Sequence, residues 1–280
     1  MQLEDQRLLA QVMLRHTGID LSNYKSGQVL RRLDGFMSKF GVGSVRAFAS
    51  LLDHDAAVVT ELRSFFTINV TEFFRDAEQF TTLRSTVLPD LLRQSTSLRI
   101  WSAGCSTGAE PYSVAILLEE LNPGGRHYIL ATDLSANALS KAVAGGPYES
   151  DKIRNLHPGT MHKWFQQKSD GLWVAESLRK KVTFRRHDLL HDRFERDFDL
   201  LLCRNVVIYF TDEAKQLLYQ RFYQALKDTG ILFIGATESL LGERESGWKR
   251  TTGNFYRKAP VREPVADAAK RPGAAGARLR

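Results

Sequence analysis

The sequence predicts an α/β protein: a parallel sheet with helices on both faces, preceded by an all-α domain and interrupted by a small antiparallel element. Three observations carry that reading. From Leu98 onward, short apolar runs alternate with amphipathic stretches: LRIWS, PYSVAILLEEL, HYILATD, SANALSKAV, then KVTFRRHD, FDLLLCRN, DEAKQLLYQRFYQAL and ILFIGA. Such alternation is the pattern of strand–helix–strand units. Residues 1–76, in contrast, read as helices, with apolar residues recurring at helical spacing. Between about 145 and 185 the alternation breaks into the turn-rich GGPYES and KSDGLWV.

Each element has a local cause. Leu3, Leu8, Leu9, Val12 and Met13 share a helical stripe that Gly18 stops. Ser26 to Phe40 puts Val29, Leu33, Phe36, Met37 and Phe40 on one face, and Gly41 and Gly43 end it. Ser44 to Leu52 and Ala56 to Phe66 read as two further short helices. Residues 77–97 read as a helical link broken at Pro89. LWV and KVTF are expected to pair as a small antiparallel flap, and WKRTTGNFYRKA as a last hairpin turning at Gly253-Asn254. Three parts follow: a helical domain over 1–76, an α/β domain over 77–259 and a flexible basic tail over 260–280.

Composition excludes several classes. With 280 residues, 43% hydrophobic and 25% charged, the chain affords a sizeable core. The opening MQLEDQR does not resemble a secretory signal, and no apolar run is long enough to cross a bilayer, so a cytoplasmic protein is expected. The two cysteines, Cys105 and Cys203, lack a neighbouring ligand pattern, so neither a disulfide framework nor a metal site is expected. The net charge of +7 invites a nucleic-acid reading. However, residues 257–280 carry seven basic and two acidic groups, so five of those seven charges sit at the end of the chain. That end is rich in Pro, Ala and Gly and has no aromatic residue after Ala259. No nucleic-acid partner is expected.

In an open α/β sheet, ligands bind beyond the carboxyl ends of the strands. After the first strand comes Ser102-Ala103-Gly104-Cys105-Ser106-Thr107-Gly108-Ala109-Glu110-Pro111-Tyr112, a glycine turn running into a helix. After the second comes Asp133, 29 residues past Gly104, where a carboxylate can accept from both hydroxyls of a ribose. Taken singly, the glycines make an ordinary turn and Asp133 a helix cap. Together they favour an adenosine-containing cofactor. A dinucleotide fingerprint would need glycine at 106, where Ser106 stands. Glu110 either complements the helix dipole or takes a cationic ligand group. After the fourth strand, Cys203-Arg204-Asn205 places a polar pair against an apolar run, either as a structural network or with Asn205 reaching a ligand.

Asn69 to Asp76 (NVTEFFRD), Trp101 to Ser113 and Cys203 to Phe210 resemble the CheR family, S-adenosylmethionine-dependent methyltransferases acting on glutamates of bacterial chemoreceptors. The resemblance runs in order from about residue 10 to about 258. It implies a Rossmann-like methyltransferase domain with a small antiparallel β-subdomain behind an all-α domain. It also implies cofactor contacts at Asn69, Thr71, Arg75, Glu110, Asp133, Asn205, Val206, Arg221 and Phe222, with Gly104 in the turn and Asp188 at the adenine amino group. Ala109 stands where the family has an acidic or small residue.

Transfer from a sulfonium to a glutamate, already ionised near neutral pH with a pKa of about 4.3, needs no general base. Positioning and water exclusion carry the reaction. Arg75 is expected to orient a carboxylate and Tyr209 to line the target channel, unless Tyr209 is simply a packed aromatic. Lys25, Arg32 and Lys39, spaced by seven, with Arg31 nearby, either steer an acidic receptor helix or form a solvated face. The implied partner is the cytoplasmic helical bundle of a chemoreceptor, met by a monomer without membrane insertion. Members that grip a receptor's C-terminal pentapeptide have a longer, glycine-bearing loop in the β-subdomain. Here only Gln166 to Asp170 separate Phe165 from Gly171, which points to the tether-independent type. An NAD-dependent dehydrogenase would require the missing fingerprint and a hydride-handling pair, and a non-catalytic adaptor would not need Asn69, Arg75, Glu110, Asp133 and Asn205 intact.

Overall fold

A computed structural model describes residues 2–67, 71–240 and 247–259. Asn69 and the tail over 260–280 therefore lie outside the described residues. The chain opens with α1 (Leu3–Thr17), α2 (Ser26–Lys39), α3 (Val45–His54) and α4 (Ala56–Phe66). Three of these boundaries have an identifiable device. Gly18, at φ 77°, closes α1 by donating its N–H to Leu14 O. The Ser44 hydroxyl caps α3, and the Asp55 carboxylate caps α4 by accepting from Ala57 and Val58. Leu9, Met13, Leu33, Phe36, Phe48 and Leu62 fill the core between these helices. Leu3 belongs to the predicted stripe but is exposed, because it lies at the overhanging first turn.

The link contains α5 (Ala77–Thr82), a π turn (Leu83–Val87) and α6 (Leu88–Gln94). Pro89 does not break it. Proline lacks an N–H and its ring collides with the preceding turn. The π turn widens the helix there, with Leu88 N–H donating to Leu83 O, and Pro89 falls in the first turn of α6.

The main domain runs β1 (Arg99–Ala103), α7 (Ala109–Leu121), β2 (Tyr128–Asp133), α8 (Ala136–Ala144), α9 (Ser150–Ile153), α10 (Pro158–Trp164), β3 (Phe165–Lys168), β4 (Gly171–Val174), α11 (Glu176–Arg179), β5 (Val182–Arg186), β6 (Phe198–Cys203), α12 (Asp212–Ala225), β7 (Leu226–Ile234), β8 (Trp248–Thr252) and β9 (Phe255–Lys258). The large sheet has the order β5-β2-β1-β6-β7-β9-β8. Its first five strands are parallel, and the predicted terminal hairpin adds β9 and β8 antiparallel. One apolar cluster covers each face, the first around Tyr112 and Ile116, the second around Trp101, Phe198 and Phe222. The chain winds outward from β1 through β2 to β5, then returns to β6 and winds the other way. The crevice at the carboxyl ends of β1 and β6 is therefore the switch point where such sheets bind ligands.

The antiparallel element differs from the expected pairing. β4, which contains LWV, pairs with β3 in a hairpin whose connection is Ser169-Asp170. KVTF belongs to β5, which joins the main sheet parallel to β2, Ile129 facing Val182 and Asp133 facing Arg186. That register buries Val182 and sets Phe184 edge-on to Tyr112, 5.5 Å between ring centres. A flap would expose both. Val182 to Arg186 thus belong to the main sheet.

Candidate active site

A cleft of about 1040 Å³ opens at the switch point, part of it facing solvent. Four strand-end loops build its floor and the helical domain covers it. After β1, Gly104 takes φ 84°, and a Cβ there would stand 2.4 Å from Val206 Cγ2, so the close passage of these two loops requires glycine. Ser106 N–H donates to Asp133 Oδ2 at 2.8 Å, and Ser135 N–H donates to Oδ1 at 2.9 Å. Burial raises the pKa of Asp133, and the N–H groups of Ser135, Ser106 and Leu134 offset part of that rise. The Asp133 carboxylate thus joins the two loops while lining the cleft.

Glu110 begins α7 at the cleft floor. Its Oε1 accepts from Ser102 Oγ at 2.7 Å, and its Oε2 lies 3.3 Å from Arg204 Nη1. The second nitrogen of Arg204, Nη2, donates to Asp76 Oδ2 at 2.7 Å and to Arg75 O at 2.9 Å. Arg204 lies over the rings of Phe80 and Phe233, 5.2 and 4.6 Å to their centres, and its side chain is 2% exposed. One buried cation thus ties the start of α7 to the segment that carries Arg75.

Asn205 follows at φ 58°, a left-handed conformation that a non-glycine residue adopts at a cost. Glu238 holds it there: Oε2 accepts from Asn205 N–H at 3.0 Å and from Gly235 N–H at 2.7 Å. A Cβ on Gly235 would meet that oxygen at 2.7 Å. The Asn205 Oδ1 is buried and has no hydrogen-bond partner among the described residues, as is Ser106 Oγ. Orphaned acceptors and hydroxyls of this kind are costly unless a ligand satisfies them. An unpaired amide oxygen, a carboxylate at a helix start and a second carboxylate at the β2 end suit a ligand bearing an ammonium and a ribose. S-adenosylmethionine is such a ligand.

A family model for the CheR methyltransferase S-adenosylmethionine-binding domain matches residues 69–254, and one for the CheR all-α domain matches residues 4–67. The chain belongs to the CheR methyltransferase family. It is therefore an S-adenosylmethionine-dependent methyltransferase. It is 42% identical over 257 residues to a chemotaxis protein methyltransferase of Listeria monocytogenes serovar 1/2a, covering 91% of this chain and 97% of the relative. It is 36% identical over 249 residues to chemotaxis protein methyltransferase 1 of Pseudomonas aeruginosa, covering 83% and 89%. It is 33% identical over 250 residues to a chemotaxis protein methyltransferase of Borreliella burgdorferi, covering 84% and 88%.

The cleft brings together most of the CheR-type residues expected from the sequence. Thr71, Arg75, Gly104, Glu110, Asp133, Asp188, Asn205, Val206 and Tyr209 all line it. Asp188 is partly committed to its own loop, Oδ1 accepting from Leu190 N–H at 2.8 Å and Oδ2 lying 3.0 Å from His191 Nδ1. Arg221 and Phe222, on α12, are not among the residues that line the cleft. Phe222 is fully buried against Trp101 and Phe194. Arg221 donates to the carbonyls of Leu189 and Asp192 and stacks 3.9 Å from the Phe194 ring centre. It fastens the Asp188 loop from outside.

The basic flank of α2 is divided between local contacts and solvent. Arg32 donates to Phe65 O and lies over the Phe65 ring, and Lys39 pairs with Glu61. Both are engaged by α4, which packs along that flank. Lys25, Arg31 and Lys39 are exposed. Sequence reasoning missed Glu238, although the search for strand-end residues would have reached it four positions past β7. It also missed Tyr24 and Leu134, which line the cleft from the helical domain and from the β2 end. Among the described residues no cluster of His, Cys, Asp or Glu is arranged to hold a metal, and no helix is long and apolar enough to cross a membrane.

Proposed function

We propose that this methyltransferase esterifies glutamate side chains on the cytoplasmic helical bundle of a chemoreceptor, giving glutamyl methyl esters and S-adenosylhomocysteine. The observation that carries the proposal is the Glu110–Arg204–Arg75 arrangement at the cleft floor, with the unpaired Asn205 Oδ1 beside it. S-adenosylmethionine, when bound, supplies an electrophilic methyl on a positively charged sulfur. Glu110 takes its ammonium, Asp133 accepts from its ribose hydroxyls, and Asp188 faces the adenine. Thr71, Gly104, Asn205 and Val206 shape the floor, and Asn69, which lies outside the described residues, is proposed as a cofactor contact on the CheR resemblance alone. Arg75 holds a carboxylate, either that of the ligand or that of the target glutamate. Tyr209 lines the approach of the target.

The glutamate arrives ionised, so the protein abstracts no proton. It aligns nucleophile and methyl in line and excludes water. In agreement, His187 is buried with Nε2 3.2 Å from Arg193 O, which suits a packed strand-end residue better than a base. The two-residue connection of the β3–β4 hairpin favours action without a C-terminal receptor tether, and calorimetry with a receptor pentapeptide checks this, micromolar binding contradicting it. Lys25, Arg31, Arg32 and Lys39 are the cations proposed to meet the acidic receptor. We propose that the enzyme acts as a monomer in the cytoplasm. The test is Arg75→Ala: transfer of tritiated methyl to receptor membranes is expected to disappear, and near-normal turnover would reject the assignment.

A further inference from the structure

The helical domain touches both rims of the crevice. At the β6 rim, Lys25 N–H donates to Tyr209 O and Thr211 N–H donates to Asn23 O, each at 2.9 Å. These two bonds straddle Tyr24 and Phe210, which face each other across an isolated antiparallel bridge. The Tyr24 ring stands edge-on to Phe210 at 5.1 Å and edge-on to Phe66 of α4 at 5.0 Å. At the β2 rim, Leu134 packs into the core of the helical domain, and Asn137 Nδ2 donates to Ser64 Oγ at 2.7 Å. Tyr24 lines the cleft between these two attachments.

We infer that Tyr24 is a positioning residue supplied by the helical domain, its ring forming the roof that retains the cofactor over the strand ends. The inference rests on the cofactor reading given above. A roof pinned at both rims does not swing with a single loop, so a ligand held beneath the Tyr24 ring is expected to leave more slowly than it would without that ring. The ring does this work through its faces and edges. Burial, together with the nearby carboxylates of Asp188 and Asp20, raises the pKa of the Tyr24 hydroxyl, so it stays neutral at physiological pH and adds no charge to the roof.

The test measures the affinity and dissociation rate of S-adenosylhomocysteine for the full chain. Tyr24→Ala is expected to raise Kd about tenfold, the scale of losing an aromatic pair, mainly through faster dissociation. Tyr24→Phe keeps the ring and is expected to stay within about twofold of the unaltered protein. Phe48→Leu loosens the helical core away from the cleft and is expected to lower Tm without changing dissociation. Unchanged dissociation in a folded Tyr24→Ala protein overturns the inference, and so does an equal acceleration in Phe48→Leu. If Tyr24→Ala does not fold, Tyr24→Leu takes its place, since it keeps apolar volume without the edge-on ring. Failure of the unaltered protein to bind the ligand rejects the cofactor reading instead.

Discussion

Arg204 and Glu110, 94 positions apart in the chain, meet at 3.3 Å beneath the cleft. This pair does more than join two loops. Because the Arg204 guanidinium also holds Asp76 and the Arg75 carbonyl, the distance between the floor carboxylate and the segment carrying Arg75 is fixed before any ligand arrives.

Removing the cation leaves two carboxylates without it, Glu110 nearly buried and Asp76 half-buried. Breaking one side of a buried ion pair costs about 3–5 kcal/mol. Arg204→Ala is expected to lose stability on that scale in denaturant unfolding. Arg204→Lys should recover only part of it, because one ammonium cannot reproduce the fork that reaches Glu110, Asp76 and Arg75 O together.

Glu110→Gln keeps shape and removes charge. A hydrogen bond to a charged group is worth about 1.5–3 kcal/mol, so S-adenosylhomocysteine should bind about 10- to 100-fold more weakly. Titration calorimetry measures this directly. An unchanged Kd would mean that the ammonium lies elsewhere.

Asp133 gives a pH dependence with a defined sign. Its folded pKa is raised above the ordinary aspartate value of 3.8 by burial. As pH rises from the unfolded pKa to the folded one, the unfolded chain loses this proton first. The ligand-free protein then loses stability across that window and is flat above it. Ligand affinity runs the other way, rising with pH as the carboxylate ionises and accepts from the ribose. Asp133→Asn should bind S-adenosylhomocysteine more weakly and remove this component of the pH profile.

Glu238→Gln tests the support of Asn205. One amide oxygen can still accept from Asn205 N–H and Gly235 N–H, whereas Glu238→Ala leaves both N–H groups buried and unpaired, at about 1–3 kcal/mol each. Cofactor affinity is expected to fall more steeply in Glu238→Ala than in Glu238→Gln. Equal affinity in the two would separate Glu238 from the site.

The strand–helix alternation, the β1–α7 glycine turn, Asp133 and the Arg204-Asn205 pair were legible because each is a local pattern. Four features were not. β5 is a short strand between turns, and whether it pairs with β2 or β4 depends on contacts far along the chain. Arg221 and Phe222 sit on an amphipathic helix whose phase decides between sheet and cleft. Arg32 and Lys39 also reach Phe65 and Glu61 of α4, contacts that a spacing of seven along α2 does not reveal. Glu238 acts through a bond to a loop 33 positions earlier.

Charge reversal at Lys25 and Arg31 should raise the receptor KM and leave S-adenosylhomocysteine affinity unchanged. Arg32→Ala should instead lower Tm, since it removes a hydrogen bond to Phe65 O and a cation–ring contact.

The central claim is transfer to a carboxylate, and its most direct measurement is the chemistry of the product. Receptor membranes incubated with the enzyme and S-adenosylmethionine tritiated on its methyl group should acquire label that mild alkali releases as volatile methanol, as a glutamyl ester must. Label that survives alkali would place the methyl on nitrogen or sulfur, and no label on the receptor would mean that its glutamates are not the substrate.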